Sequence, residues 1–196
     1  MDAKANRAAK PVIVNVSNRH IHLHQNEVDI LFGKGYQLTK LRDLMQPGEF
    51  ACNELLVIGG PKGEIKKVRV LGPLRKATQV EVSLTDSITL GLGAPVRQSG
   101  HLAGAAPVKI TGPKGTVDLK EGCIVAMRHV HMKPADAEFF GIKDQEIVRV
   151  RIEGDRGLVF DNVVARVSPN MLLECHLDTD EANAAGAKNG SKAVIL

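Results

Sequence analysis

The chain carries the same histidine motif twice. Arg19-His20-Ile21-His22-Leu23 and Arg128-His129-Val130-His131-Met132 each place two imidazoles two positions apart. In an extended strand, residues i and i+2 point to the same face, so each pair can bind one borderline-soft cation such as zinc. A single His-x-His pair often arises by chance, whereas two copies in the same five-residue frame indicate two related metal-binding halves.

Each pair supplies only two ligands, and a catalytic zinc site takes at least three from the protein. Glu81 alternates with apolar Val80 and Val82, and His176 is isolated in an apolar stretch, so both are candidates. His24 opens a predicted helix and His101 lies in a glycine-rich loop, which makes them weaker candidates. The residues alone leave this choice open.

An anion site is indicated by Arg75, which lies six residues before Glu81. A guanidinium can hold two phosphate oxygens in a planar fork, although an ordinary surface arginine fits the same position. The loop 97–104 combines Arg97 with small residues and reads either as a phosphate-binding loop or as a plain connection.

Three cysteines, Cys52, Cys123 and Cys175, invite an acyl-enzyme hypothesis. They adjoin apolar segments, so we expect small buried side chains instead. Their odd number and the absence of CxxC spacing argue against a disulfide framework and favour a reducing cytosol.

Short stretches with β-branched residues and period-two alternation predict a mainly β fold. The predicted strands cover 12–16, 55–59, 67–72, 79–85, 107–112, 146–154 and 163–167, and the predicted helices cover 24–32, 134–140 and 179–187. Two GPKG segments, at 60–63 and 112–115, are expected to connect hairpins. Many short strands with few short helices indicate small β-barrels.

The overall composition excludes several classes of function. The 196 residues carry a net charge of +4, with 3% aromatic residues. No apolar run is long enough for a membrane span, and residues 1–10 do not resemble a secretory signal. The basic residues are scattered and lack interleaved aromatics, which argues against nucleic-acid binding.

Four segments together resemble the PduL-type phosphate acyltransferases, which include the phosphate propanoyltransferase of propanediol-using microcompartments. They are residues 16–23, 72–75 with 79–83, 127–132 and 176–184, and the resemblance extends over about residues 12–190.

The resemblance implies two zinc ions and a fold of two small β-barrels with the active site between them. His20, His22 and Glu81 would hold the first zinc, and His129, His131 and His176 the second. Arg75 matches the phosphate-orienting arginine. The stretches expected to face coenzyme A contain Ser17, Arg19, Gln46, Pro47, Gly48, Arg97 and Ser99.

The implied reaction interconverts a short-chain acyl-CoA (propanoyl or acetyl) plus phosphate with acyl phosphate plus coenzyme A. Zinc-bound coenzyme A thiolate would attack the acyl phosphate directly, with no protein nucleophile. Two alternatives stay open, a two-zinc hydrolase using metal-bound hydroxide and a non-enzymatic metal- or nucleotide-binding module.

The repeat further predicts two barrels related by a pseudo-two-fold axis. One would combine 11–18 with 127–196, the other would be 19–126, and 1–10 would be a flexible segment. Residues 1–10 lack the amphipathic targeting pattern of microcompartment members, so we expect a cytoplasmic protein or one whose targeting segment has been trimmed. A homo-oligomer and contacts with microcompartment shell or lumen proteins stay open.

Overall fold

The computed structural model describes residues 7–196, which form two compact units. Of the described residues, unit 1 takes in 7–17 together with Met127–Leu196, and unit 2 is Asn18–Ala126. The strands are β1 (Val12–Ser17), β2 (His20–His22), β3 (Lys40–Asp43), β4 (Phe50–Gly60), β5 (Gly63–Gly72), β6 (Gln79–Val82), β7 (Val96–Arg97), β8 (Ala106–Thr111), β9 (Thr116–Ala126), β10 (His129–Met132), β11 (Ile147–Ile152), β12 (Leu158–Val167), β13 (Glu174–Asp178) and β14 (Lys192–Ile195). The helices are α1 (Gln25–Phe32), α2 (Leu84–Leu90), α3 (Pro134–Phe140) and α4 (Thr179–Ala185).

Unit 1 is a closed barrel with strand order β1-β13-β10-β12-β11-β14. The pairs β1–β13 and β10–β12 are parallel, and the other neighbours are antiparallel. Its interior is filled by buried aliphatic side chains and by Phe140 at the end of α3. Burial of these side chains is the main favourable contribution to folding in a barrel of this size.

Unit 2 contains a second closed ring, β4-β5-β2-β6-β9-β8, in which β8 pairs with both β9 and β4. Strand β3 is added beside β4, and β7 beside β9. Its separate core is again mostly Val, Ile and Leu. The prediction of two small β-barrels with short helices is therefore confirmed.

The two rings share one pattern of strand pairing. β2 is parallel to β5 and antiparallel to β6, just as β10 is parallel to β12 and antiparallel to β13. By the same comparison β9, β8 and β4 correspond to β1, β14 and β11. The strand that precedes each His-x-His strand belongs to the other unit. In each copy of the internal repeat, the first strand is therefore part of one barrel and the following strands are part of the other.

Most of the predicted strands and all three predicted helices lie where the sequence placed them, and both GPKG segments connect hairpins. The strand predicted over 79–85 is wrong in its second half, because β6 ends at Val82 and α2 follows. Ser83 accepts a hydrogen bond from the Asp86 N–H while the Asp86 carboxylate accepts one from the Ser83 N–H. This reciprocal cap favours a helix start over strand continuation.

Residues 1–6 of the expected flexible segment lie outside the described residues. Arg7 is buried, and its guanidinium donates to the carbonyl oxygens of Phe140 and Leu196. Lys10 forms an ion pair with Asp136 on α3. Residues 7–10 are therefore held against unit 1.

Within residues 7–196, no helix has both the length and the apolar character that a membrane crossing requires.

Candidate metal centres

The first histidine group lies in unit 2, where β2 pairs with β6. His20 stands directly opposite Glu81, and His22 shares the strand face of His20 by the period of two. All three side chains are buried, and their nearest ligand atoms lie within 4.8 Å of one another. The two Nε2 atoms are 3.2 Å apart, and His20 Nε2 is 3.5 Å from a Glu81 carboxylate oxygen.

Hydrogen bonds fix the orientation of this group. His20 Nδ1 lies 2.8 Å from the Asn18 carbonyl oxygen, which leaves Nε2 facing the group. Glu81 Oε1 accepts from Gln79 Nε2 at 2.6 Å and from Ser99 Oγ at 2.8 Å. Such outer contacts set the ring orientation and the tautomer of metal-binding histidines.

Burial and charge act together on the ionisation of the group. Burial lowers the pKa of His22 well below its ordinary value, assisted by the charge on His20. Burial opposes the charged forms of His20 and Glu81 as well, but their mutual attraction outweighs it. The pKa of His20 is raised and that of Glu81 lies well below its ordinary value. The attraction that raises the pKa of His20 would also act on a cation bound beside the Glu81 carboxylate.

The second group is built the same way in unit 1, where β10 pairs with β13. His129 stands directly opposite His176, and their ring centroids are 4.9 Å apart. His129 Nε2 lies 2.9 Å from His131 Nε2, and His129 Nδ1 lies 2.9 Å from the Met127 carbonyl oxygen. Burial and the neighbouring imidazoles lower the pKa of His131 to about 2, so this ring is neutral and can offer a lone pair.

Both groups fit a metal such as zinc. Nitrogens bound at 2.0–2.1 Å to a tetrahedral zinc lie about 3.3 Å apart, close to the Nε2–Nε2 distances of 3.2 and 2.9 Å. In unit 1 the buried His176 Nε2 has no hydrogen-bond partner, although a Glu174 oxygen approaches it to 2.9 Å off the N–H direction. A buried nitrogen without a hydrogen bond is costly, and a cation would satisfy it.

The arginine before each histidine pair contacts the helix that follows the third candidate ligand. Arg19 Nε donates to Asp86 on α2 at 2.7 Å, and Arg128 Nη1 lies 3.2 Å from Glu181 on α4. Both acids also cap their own helix. Sequence reasoning missed Asp86 and Glu181, although the spacing of a capped helix start, three residues after Ser83 or Asp178, was available to find them.

Arg75 lies beside the first group and is linked to it through one hydroxyl. Its Nη1 donates to Ser99 Oγ at 3.1 Å, and the same hydroxyl donates to Glu81. Its Nη2 contacts Glu49 at 3.1 Å. The Arg75 side chain remains 31% exposed, so the guanidinium can also meet an anion from solvent.

The residues expected to face coenzyme A are distributed over both units. Gln46, Pro47 and Gly48 form the turn that leads to Glu49, the partner of Arg75. Ser99, as described, contacts Arg75. Arg97 is exposed on β7 and donates to the Val96 carbonyl oxygen.

Ser17 ends β1 in unit 1, while Arg19 is engaged with Asp86. The weaker candidates lie outside both groups. His24 caps α1, and His101 is exposed in a turn.

The three cysteines are free thiols and are buried. Burial raises the thiol pKa of Cys52 to about 11 and that of Cys123 and Cys175 to about 12. These thiols are therefore protonated at neutral pH, the form that is a poor nucleophile.

The chain is similar in sequence to proteins of one named family. The sequence profile described as phosphate propanoyltransferase matches residues 13–188. A phosphate propanoyltransferase of Thermotoga maritima is 52% identical over 186 residues, covering 94% of this chain and 89% of the relative. One from Clostridioides difficile is 54% identical over 183 residues, covering 93% and 88%, and one from Lachnoclostridium phytofermentans is 53% identical over 186 residues, covering 94% and 87%.

The match spans both histidine groups, Arg75 and the loop that carries Ser99. Each relative is an acyltransferase by name, and each is covered over most of its own length. This chain is therefore an acyltransferase that belongs to the phosphate propanoyltransferase family.

Proposed function

We propose that the chain catalyses the reversible exchange of a short acyl group between coenzyme A and phosphate, with two zinc ions bound per chain. The observation that carries this proposal is the pair of buried donor groups, one of which is joined through Ser99 to the partly exposed Arg75. The names of the relatives supply the reaction class, and the donor groups supply the reason for expecting metal.

His20, His22 and Glu81 would hold one ion, and His129, His131 and His176 the other. Bound zinc would supply Lewis-acid chemistry, which lowers the pKa of a thiol and neutralises phosphoryl charge. The chain's own part is to fix the ligands, through the carbonyl groups of Asn18 and Met127 and through Gln79 and Ser99.

Arg75 would orient the phosphate. The guanidinium is already held by Glu49 and Ser99, so little side-chain freedom is lost when phosphate arrives. In the direction of acyl-CoA formation, the coenzyme A sulfur attacks the acyl carbon. The bond between that carbon and the phosphate oxygen breaks, phosphate leaves with the electron pair, and the thiol proton passes to solvent. Arg75 would neutralise the charge that grows on the departing phosphate.

Ser17, Arg19, Gln46, Pro47, Gly48, Arg97 and Ser99 are proposed to bind coenzyme A. Direct transfer between the two substrates requires no acyl-enzyme, and the raised thiol pKa values of the buried cysteines support this route.

The test is a coenzyme A release assay with phosphate and a panel of acyl-CoA thioesters that includes acetyl and propanoyl. We expect release that depends on phosphate and on metal, together with formation of acyl phosphate. Breakdown of acyl phosphate without coenzyme A would instead identify a two-zinc hydrolase. Bound metal without turnover of any acyl donor would identify a binding module.

A further inference from the structure

Each histidine group is part of a square of four side chains on two antiparallel strands. In unit 1, His129 stands opposite His176 and His131 stands opposite Glu174. In unit 2, His20 stands opposite Glu81 and His22 stands opposite Gln79. Residues two apart on a strand share a face, so Glu174 is the fourth corner in unit 1 and Gln79 is the fourth corner in unit 2.

Glu174 is completely buried. Burying a carboxylate is costly unless nearby groups compensate its charge. Its Oε1 accepts from Asn15 Nδ2 at 2.8 Å, and its Oε2 lies 2.9 Å from His176 Nε2. The carboxylate therefore contacts one of the two histidine nitrogens in the group that are buried without a hydrogen bond, the other being His131 Nδ1.

The two squares differ in which position carries the carboxylate. In unit 2 the carboxylate, Glu81, faces the first histidine, and the fourth corner is the neutral Gln79, whose Nε2 donates to Glu81. In unit 1 an imidazole, His176, faces the first histidine, and the fourth corner is the carboxylate Glu174. Each square thus keeps one carboxylate among four side chains, opposite the first histidine in unit 2 and opposite the second histidine in unit 1.

We propose that Glu174 belongs to the second metal site, where its carboxylate supplies the negative charge that Glu81 supplies at the first. This inference rests on the proposed two-metal function. Three neutral imidazoles would leave the full charge of a divalent ion in a buried place, and an adjacent carboxylate stabilises it by direct Coulomb attraction.

The experiment measures zinc affinity at each site by competition with a chromophoric chelator, and follows cobalt(II) substitution by its visible absorption. Glu174→Gln keeps the size and the acceptor for Asn15 but removes the charge. We expect the affinity of the second site to fall about 10–100-fold, its cobalt(II) absorption to change, and the first site to remain within about twofold of its original affinity. Glu54→Gln is the matched control, because Glu54 is another buried carboxylate, hydrogen-bonded to Tyr36 and Thr39.

Glu174→Asp separates charge from packing. If charge matters, the shorter Asp retains more zinc affinity than the isosteric Gln. If Glu174 only fills space, Asp is at least as damaging as Gln, and that order overturns the inference. Should Glu174→Gln fail to fold, Asn15→Ala weakens the hold on the same carboxylate from the neighbouring strand. The second-site affinity should then drop at least about threefold, a small part of the range for an outer contact, and an unchanged affinity counts against the proposal.

The wild-type titration keeps the two proposals distinguishable. Fewer than two equivalents of zinc in the unaltered protein contradict the proposed function and the role of Glu174 with it. Two equivalents, together with an unchanged second site in Glu174→Gln, contradict only the role of Glu174.

Discussion

The two barrels use one pattern of strand pairing to build two different donor groups. His20 and His129 correspond in register, as do His22 and His131, whereas Glu81 in unit 2 corresponds to His176 in unit 1. The separation along the chain between histidine pair and third ligand differs between the units, but the cross-strand pairing is the same. Strand register, and not sequence spacing, therefore defines each group.

The segment that leads into the strand of the third candidate ligand differs in charge between the units. In unit 2 the connection from β5 to β6 carries Arg75, which contacts Ser99. In unit 1 the connection from β12 to β13, residues 168–173, contains no basic residue. The shared strand pairing thus provides a donor group in each unit, and the residue types of the β5–β6 connection provide a cation in unit 2 alone.

The largest expected effect comes from removing one ligand from either group. His22→Ala and His131→Ala should each lose one equivalent of zinc and lower turnover by at least about 100-fold, because a metal ion contributes several kcal/mol to stabilising the transition state. Elemental analysis and the coenzyme A release assay measure the two effects. His101→Ala, at an exposed histidine outside both groups, is the control. Full activity in a metal-free protein would contradict the two-metal proposal.

The second prediction tests whether Arg75, which has no basic counterpart in the β12–β13 connection of unit 1, binds phosphate. Arg75→Ala should lower turnover about 100–1000-fold, the usual cost of removing one preorganised donor from a transition state, with zinc content unchanged. Arg75→Lys should rescue poorly because it lacks the planar fork. Arg149→Ala is the control, since Arg149 is an exposed arginine paired with Asp161. A near-normal rate for Arg75→Ala would make it an ordinary surface arginine.

The barrels and the two histidine pairs were accessible from the sequence because both depend on a period of two. Glu81 and His176 were chosen among the candidate third ligands only through the family resemblance. The same rule applied to β6 and β13 would also have found Gln79 and Glu174, which lie two positions before Glu81 and His176. The register that sets these residues opposite His22 and His131 depends on pairing between distant strands, which local patterns do not contain. Helix α2 was missed because the β-branched residues around Ser83 resembled a strand more than a capped helix start.

One expectation drawn from the repeat stays a prediction. The two His-x-His strands should be related by an approximate two-fold axis and should serve one substrate site. A crystal structure with metal bound tests it, and histidine pairs more than about 15 Å apart, beyond two-metal spacing plus ligand reach, would refute the shared site.

The third prediction concerns the ion pair between Arg128 and Glu181, the counterpart of Arg19 and Asp86. Burial, reinforced by the charge of Asp178, raises the pKa of Glu181 from 4.5 to about 7 despite Arg128. Because the folded-state pKa is the higher one, the stabilising contribution is complete below pH 4.5 and is lost as the pH rises through about 7. A shift of this size corresponds to roughly 3 kcal/mol at most.

Glu181→Gln should remove this part of the pH dependence of the free energy of unfolding. Chemical denaturation between pH 4.5 and 7.5 measures it. Glu153→Gln is the control, because Glu153 is an exposed acid of the same unit, paired with Arg151. An identical pH profile for Glu181→Gln and the unaltered protein would contradict the prediction.

The smallest effect is expected at the cysteines, and the comparison of the units explains why. Cys175 pairs with Val14 on the parallel neighbouring strand, and the corresponding pair in unit 2 is Val80 with Cys123. Cysteine and valine thus exchange places between the two barrels, at positions buried in both cores. A position that accepts valine in one copy requires volume and apolar character, not sulfur chemistry.

Turnover should therefore stay within about threefold of the unaltered protein in five variants, a change of less than about 1 kcal/mol in the activation free energy. These are Cys175→Val, Cys123→Val, Cys52→Ser, Cys123→Ser and Cys175→Ser. The valine variants should be at least as stable as the serine variants, because serine buries a hydroxyl. The coenzyme A release assay and thermal unfolding measure both effects, and an acylated cysteine trapped by mass spectrometry would contradict direct transfer.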